Sequence, residues 1–416
     1  MQRKVASNLV WMLVERGLQV GAGIGIVAML ARGLGPEGFA HFQYAQAIVL
    51  IAASVGLICG AEVIVPRLVA TASAWEQHRL LAHAFSLRVM GAALGYLLMC
   101  VFLLITRPPP ETWITALLLG VSILLRESSG VVVAWMQAHT NNRPSTLFNL
   151  ISLTAKVSLV AILFALGQHA APVFAGAFAV EPIILALLLG LHYLSRVNFR
   201  KVALEAPLTL ELFSGGVLFW ASFMLMMGAR RIDQLILQPS VALAEFSAYA
   251  ATMQILDNYT AVATILAASV APTYVYRKID FASARTNVAR IALGMGLAGL
   301  AGAVMIALGA HWIIHLLYGK EFASSVALLQ FAALASTLLF VDVGLTLQQV
   351  YLRRPDWIAI KWALVLVVTV AFDMFAVPRY GVWGAIGGYA LSNTVAVGFG
   401  LYLWWRSGRS PQSANQ

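Results

Sequence analysis

The fold class this sequence predicts is all-α integral membrane, with twelve transmembrane helices in two parallel six-helix repeats around a central cavity. Three observations predict it. Hydrophobic residues make up 61% of the 416-residue chain and charged residues 11%, with a mean hydropathy of +0.84, which excludes a soluble single-core domain. Apolar windows of the roughly 20 residues that a spanning helix needs recur twelve times, without the period of two that marks membrane β-strands. Finally, four short motifs recur in the same order in the two halves, the mark of an internal duplication.

The windows lie near 8–32, 42–65, 84–105, 113–135, 147–167 and 172–194, then 215–237, 245–270, 289–308, 325–347, 357–377 and 382–405. The first follows Arg3 and Lys4 and lacks a small-residue cleavage site, so it reads as a retained span rather than a signal peptide. Its Gly21 and Gly25 form a GxxxG spacing that permits bending or close helix packing. A tight turn then joins it to the second. Gly35 suits the left-handed residue that ends a helix, Pro36 the first position of the next, and Glu37 the negative charge favoured there.

Cys59 and Cys100 lie inside apolar windows, which argues against a structural disulfide. Tryptophans near span ends, such as Trp113, Trp312 and Trp405, read as interfacial anchors. His311 and His315 are four apart with no third ligand nearby, so they read as interfacial packing rather than metal.

Six spans return a chain to its starting side, so a six-helix duplication gives two halves of the same orientation. The paired motifs are Phe39–Phe42 with Phe246–Tyr249, Trp11 with Trp220, Asn142–Ser145 with Arg353–Asp356, and Phe174–Ala179 with Ala385–Ala390. The predicted divisions are 1–194 as an N-terminal six-helix bundle, 195–214 as a cytoplasmic linker, 215–405 as a C-terminal six-helix bundle and 406–416 as a polar cytoplasmic tail. The linker carries Arg196, Arg200 and Lys201 and breaks at Pro207, and part of it suits an amphipathic helix along the headgroups.

The net charge of +10 is distributed by side. Residues such as Arg67, Arg79, Arg88, Arg143, Arg277, Lys278, Arg353, Arg354, Lys361 and Arg406 fall on one side of the alternating topology, against Arg32, Arg107, Lys320 and Arg379 on the other. The positive-inside rule makes the basic side cytoplasmic and puts both termini there. The basicity is thus orientation plus attraction to anionic lipid, with no nucleic-acid partner implied.

The Ala31–Val49 turn, with Ala-Arg followed by Leu-Gly-Pro-Glu, a small residue and an aromatic, resembles the first loop of the bacterial oligosaccharide flippases. These form the polysaccharide-biosynthesis branch of the superfamily that includes the multidrug and toxin extrusion transporters. Tyr318–Phe322 and Pro378–Ala385 resemble that family's entries to the tenth and twelfth spans. The resemblance implies alternating access in a bacterial cytoplasmic membrane. It implies as cargo a polyprenyl-diphosphate-linked oligosaccharide for surface polysaccharide assembly, with polysaccharide polymerase and glycosyltransferases as partners beside the membrane lipids.

Five basic residues fall inside spans: Arg16, Arg126, Lys156, Arg230 and Arg231. Each costs about 2.5–3.5 kcal/mol at mid-helix on the insertion scale, so most must face protein or water. Guanidinium forks bind phosphate oxygens in bidentate fashion, which fits a diphosphate head. The competing reading is ion pairing: Arg230 with Asp233 three residues on, or Lys156 with Glu127 or Glu181. Arg88 and Glu62 lie close enough to span ends to snorkel.

Coupling to H+ or Na+ needs a carboxylate, and the ion-coupling or ion-pair candidates are Glu15, Glu181, Asp233 and Asp257. No catalytic residue, metal ligand set or other cofactor is expected. A cation-coupled drug exporter of the same superfamily is the nearest alternative. A polysaccharide polymerase or glycosyltransferase would need a larger outer loop for chemistry and leaves the duplication unexplained.

Overall fold

The computed structural model describes residues 21–197, 202–277 and 280–408 in full, and residues 2–20 by their helical backbone alone. The described residues contain helices and turns and no strand. In chain order the helices are α1 (Gln2–Gly56), α2 (Ala61–Ala70), α3 (Ala74–Thr106), α4 (Pro110–Ala138), α5 (Arg143–Ala165) and α6 (Ala171–Arg196). They continue as α7 (Ala206–Leu237), α8 (Leu243–Ala271), α9 (Phe281–Leu317), α10 (Ser325–Tyr351), α11 (Pro355–Tyr380) and α12 (Val382–Ser407). Ten helical segments among the described residues are long and apolar enough to cross a membrane; Gly21–Ala70 counts as one and α12 is not among them.

Local chemistry sets the boundaries. Ser73 caps α3 by accepting from the Glu76 amide, and prolines occupy the first positions of α4, α5, α6 and α11, where a missing N–H costs nothing. Asp280 caps α9, accepting from the hydroxyl and amide of Ser283 and the amide of Ala282, and these bonds hold its carboxyl below the usual range. Gly381 at φ 53° separates α11 from α12. Gly35, at φ 66° and ψ 179°, breaks α1 where the sequence predicts a turn. Beyond it, His41 reaches Thr112 at the start of α4 while Gly33 accepts from His169 in the α5–α6 turn.

Only glycine adopts the Gly35 backbone without strain. Gly35→Ala is expected to cost about 1–3 kcal/mol, read as a lower melting temperature of the detergent-solubilised protein. An unchanged melting temperature would show that the turn accommodates a side chain.

The second predicted span, 42–65, is interrupted. Its helix ends at Gly56 and resumes at Ala61, with Cys59 in the left-handed conformation between them. Broken backbone at membrane depth needs partners for its carbonyls. Trp220 Nε1 donates to the Val55 carbonyl at 3.1 Å, and Arg88 Nε to that of Cys59 at 3.2 Å. The linker expectation meets α7, which begins at Ala206 and runs unbroken to Leu237; residues 198–201 lie outside the described ones. Arg79 and Arg67 hold Glu205 and Glu211 of this stretch at 2.6 and 2.9 Å.

Two compact units divide the chain, Met1–Met224 and Leu225–Gln416. In the first, α4 packs against α1, α3 and α6, and in the second α10 packs against α8, α9 and α12. Small residues allow backbones to touch: a Cβ at Gly95 would collide with the Ala52 carbonyl, and one at Gly384 with Ala376.

Candidate functional site

In the first unit, α4, α5 and α6 bring together Arg126, Lys156 and Glu181. Glu181 Oε2 accepts from Lys156 Nζ at 2.5 Å, and Oε1 from Arg126 Nη1 at 3.2 Å. One carboxylate between two cations leaves a net positive charge. Lys156 is enclosed, with the Phe178 ring 5.1 Å from its ammonium, while the Arg126 side chain is 47% exposed and keeps N–H donors free for a further acceptor. Arg126 lines a cavity of about 770 Å³ shared with Glu62, Arg88, Glu127, Asn149 and the aromatic side chains of Phe219, Trp220 and Phe223.

Of the two carboxylates open to Lys156 from sequence, Glu181 is the partner. Arg88 does not snorkel: it is 4% exposed and also donates to the Glu127 carbonyl at 3.0 Å. Its place in α3, facing the interrupted helix and α4, lets it satisfy the Cys59 and Glu127 carbonyls. Glu62 is exposed in the first turn of α2. The side chains of Glu15 and Arg16 lie outside the described residues.

In the second unit the predicted Arg230–Asp233 pair does not form. Arg231 takes Asp257 at 2.5 Å, and Asp233 accepts instead from the Tyr249 hydroxyl and the Gln234 amide. Spacing of three along α7 gives way here to partners on α8, because the rotation of α7 points Arg231 at that helix. Arg230 lies 5.8 Å from the Trp362 ring centroid with its Nε buried and without a partner. Both arginines, Asp233, Asp257, Thr369, Tyr389 and Asn393 line a water-sized void of about 40 Å³.

Two buried features here were not assigned from sequence. Lys361, expected in the basic cytoplasmic set, is 1% exposed and bonds both carboxylate oxygens of Asp342 at 2.9 and 3.0 Å and the Thr346 hydroxyl at 2.9 Å. Asp373 is fully buried, and neither of its carboxylate oxygens has a hydrogen-bond partner. It lies against Gly388, where a Cβ would collide with it. Lys361, Val365, Thr369 and Asp373 recur every four residues along one buried face of α11. That spacing is the signal in the sequence that could have found them.

His311 and His315 lie with ring centroids 4.4 Å apart, and among the described residues no group of three or more His, Cys, Asp or Glu side chains could hold a metal.

A family model described as polysaccharide biosynthesis protein matches residues 5–275. Among solved structures, the chain is similar to a lipid II flippase MurJ in an inward closed conformation, with a TM-score of 0.73 at 14% identity over 96% of this chain and 87% of that one. It is also similar to an inward-facing multidrug resistance MATE family transporter of the MOP superfamily, with a TM-score of 0.68 at 15% identity over 95% and 96%. A MOP superfamily transporter from Pyrococcus furiosus gives a TM-score of 0.62 at 14% identity over 96% of this chain and 95% of that one. At these identities the likeness is one of fold. No curated protein sequence matches.

Proposed function

Because this chain belongs to the polysaccharide biosynthesis protein family, we propose that it is a flippase that carries polyprenyl-diphosphate-linked oligosaccharide from the cytoplasmic to the outer leaflet of a bacterial inner membrane. One observation carries the reading: the Arg126–Lys156–Glu181 group, positively charged overall, presents a half-exposed guanidinium to a cavity of about 770 Å³. Such a fork pairs with phosphate oxygens at any working pH. Lys156 positions the group through Glu181, Arg126 touches the diphosphate, and the aromatic side chains offer faces to sugar rings. The lipid tail stays in the bilayer. Twelve crossings in two six-helix repeats, cytoplasmic termini, alternating access and a polymerase and glycosyltransferases as partners complete the proposal.

Coupling belongs to the second unit in this reading, with Asp233 and Asp257 joined by the unpartnered Asp373 as the ion-responsive carboxyls. Arg230 and Arg231 hold the charge balance around them. Glu62 and Glu127 in the first-unit cavity favour a second reading, a cation-coupled drug exporter, since carboxylates suit cationic cargo.

The test is movement of a labelled polyprenyl-diphosphate oligosaccharide across vesicles containing the purified protein, beside efflux of a cationic dye. Arg126→Ala is expected to slow lipid movement about tenfold or more, since a charge-assisted hydrogen bond contributes about 1.5–3 kcal/mol, with folded protein retained. Dye efflux without lipid movement would replace the flippase by the exporter.

A further inference from the structure

We infer that His83 of α3 is the proton-sensitive member of a clasp that holds the start of α7 against α3, closed while its imidazole is neutral and opened when it takes a second proton. Each link of the clasp is a direct contact. His83 Nδ1 lies 2.8 Å from the Arg79 carbonyl, one helical turn back, and Nε2 lies 2.8 Å from the backbone nitrogen of Glu205. A carbonyl only accepts and a backbone N–H only donates, so Nδ1 carries the proton and Nε2 presents its lone pair. The Glu205 carboxylate returns to the same turn of α3, accepting from Arg79 Nη2 at 2.6 Å. Arg79, His83 and Glu205 thus close a ring of three bonds.

The chain needs an acceptor at this point. Glu205 immediately precedes α7 and its carbonyl accepts from the Thr209 amide at 3.1 Å, while its own N–H lies ahead of the helix, where no helical carbonyl serves it. His83, at 0% exposure, supplies that acceptor from a buried position. A second proton would set an N–H on Nε2 against the Glu205 N–H, two donors with no acceptor between them. The bond does not survive that change. The carboxylates nearby offer no compensation: Glu205 is taken by Arg79, and Glu211 of α7 by Arg67 of α2 at 2.9 Å. On α3, Glu76 lies about 10 Å away along the helix axis, and His78 turns to the Tyr193 hydroxyl of α6 at 2.6 Å. From α4, Val131 and Ala134 meet this part of α3 as apolar groups, and His139 bonds the carbonyl of Trp135.

Both sides of the clasp are braced, which confines the opening. Gln77 Nε2 fixes the α2–α3 turn by donating to the Leu68 and Thr71 carbonyls at 3.1 and 2.7 Å. Leu212 of α7, 1% exposed, packs in one apolar cluster with Ile64 and Leu68 of α2 and Ala84 and Leu87 of α3. That anchor does not titrate, so opening frees residues 202–209 and leaves the rest of α7 docked. Closure has a cost of its own, because Arg79 Nε is buried without a partner. An imidazole free of such bonds titrates between about pH 5 and 8. Opening that takes up one proton becomes about tenfold more favourable for each pH unit below that titration, so the clasp is closed at high pH and opens as pH falls. Phe219, Trp220 and Phe223 further along α7 line the cavity of about 770 Å³, whose wall the clasp therefore steadies at one end. The inference needs no particular cargo.

The experiment is hydrogen–deuterium exchange of the full protein in phospholipid nanodiscs at about pH 8 and about pH 5.5, with rates corrected for the pH dependence of free amides. Protection of the Glu205 amide is expected to fall roughly tenfold or more at the lower pH, while α7 beyond Leu212 keeps its protection. His83→Gln puts a group that does not titrate in this range in place of the imidazole and is expected to give the same Glu205 protection at both pH values. Glu205→Gln and His78→Gln leave both ring bonds of His83 in place and are expected to keep the wild-type pH dependence. These two separate the imidazole of His83 from the neighbouring carboxylate and histidine, and they decide the matter even where His83→Gln does not fold. Equal protection at both pH values in wild type overturns the clasp, as does an undiminished pH dependence in folded His83→Gln or its loss in either of the other variants.

Discussion

Glu181→Gln is expected to lower the stability of the folded protein by about 3–5 kcal/mol, the cost of leaving one partner of a buried pair uncompensated. The side chains of Lys156 and Glu181 are 13% and 10% exposed, and their 2.5 Å contact is the tightest link between α5 and α6 among the ion pairs described. Arg126 adds little to this loss, because its exposed guanidinium is screened by water. The measurement is thermal unfolding in detergent, and the double variant Lys156→Met/Glu181→Leu is expected to recover most of the loss, since apolar groups of similar size replace buried ion pairs well. Recovery of stability without recovery of lipid movement would separate the triad's role in transport from its role in packing. If Glu181→Gln melts with the wild type, Lys156 finds compensation elsewhere in the folded protein.

Asp373→Asn is expected to uncouple transport while leaving the fold intact. The substitution preserves volume against Gly388 and removes the group whose two oxygens lack partners. An unpartnered buried carboxyl is costly when charged, which marks it as a candidate for ion exchange. Gradient-driven accumulation is expected to fall to the level seen without a gradient, whereas exchange of cargo at equilibrium persists within about twofold. The check is to run both assays on one preparation whose melting temperature equals or exceeds that of the wild type. Accumulation at the wild-type level in Asp373→Asn would remove this carboxyl from the coupling scheme and leave Asp233 and Asp257 to supply it.

The contrast between Lys156 and Lys361 shows where local reasoning stops. Lys156 lies in the middle of a predicted span, so its need for a partner was visible and Glu181 was one of two carboxylates in reach. Lys361 lies four residues into its span, beside Arg353 and Arg354, and looked like one more cytoplasmic charge. The structure turns it inward against Asp342 of α10. Arg88 follows the same pattern, near enough to a span end to snorkel, yet drawn in by the open carbonyl of Cys59.

By itself the sequence determined what depends on neighbours along the chain. That comprises insertion of long apolar runs into a membrane, the break at Gly35 with Pro36 beyond it, and the presence of more intramembrane charge than lipid could tolerate. Hydropathy, backbone conformation and capping are settled within a turn or two of helix, so they are legible in order. Only the tertiary structure decided which charges meet: Arg231 with Asp257 rather than Arg230 with Asp233, Lys361 with Asp342, and Asp373 with no hydrogen-bond partner among the described residues. Those outcomes depend on the rotation and depth of each helix against its neighbours. A few tens of degrees about a helix axis decide whether a side chain finds a carboxylate or a wall, and no residue spacing within one helix contains that angle.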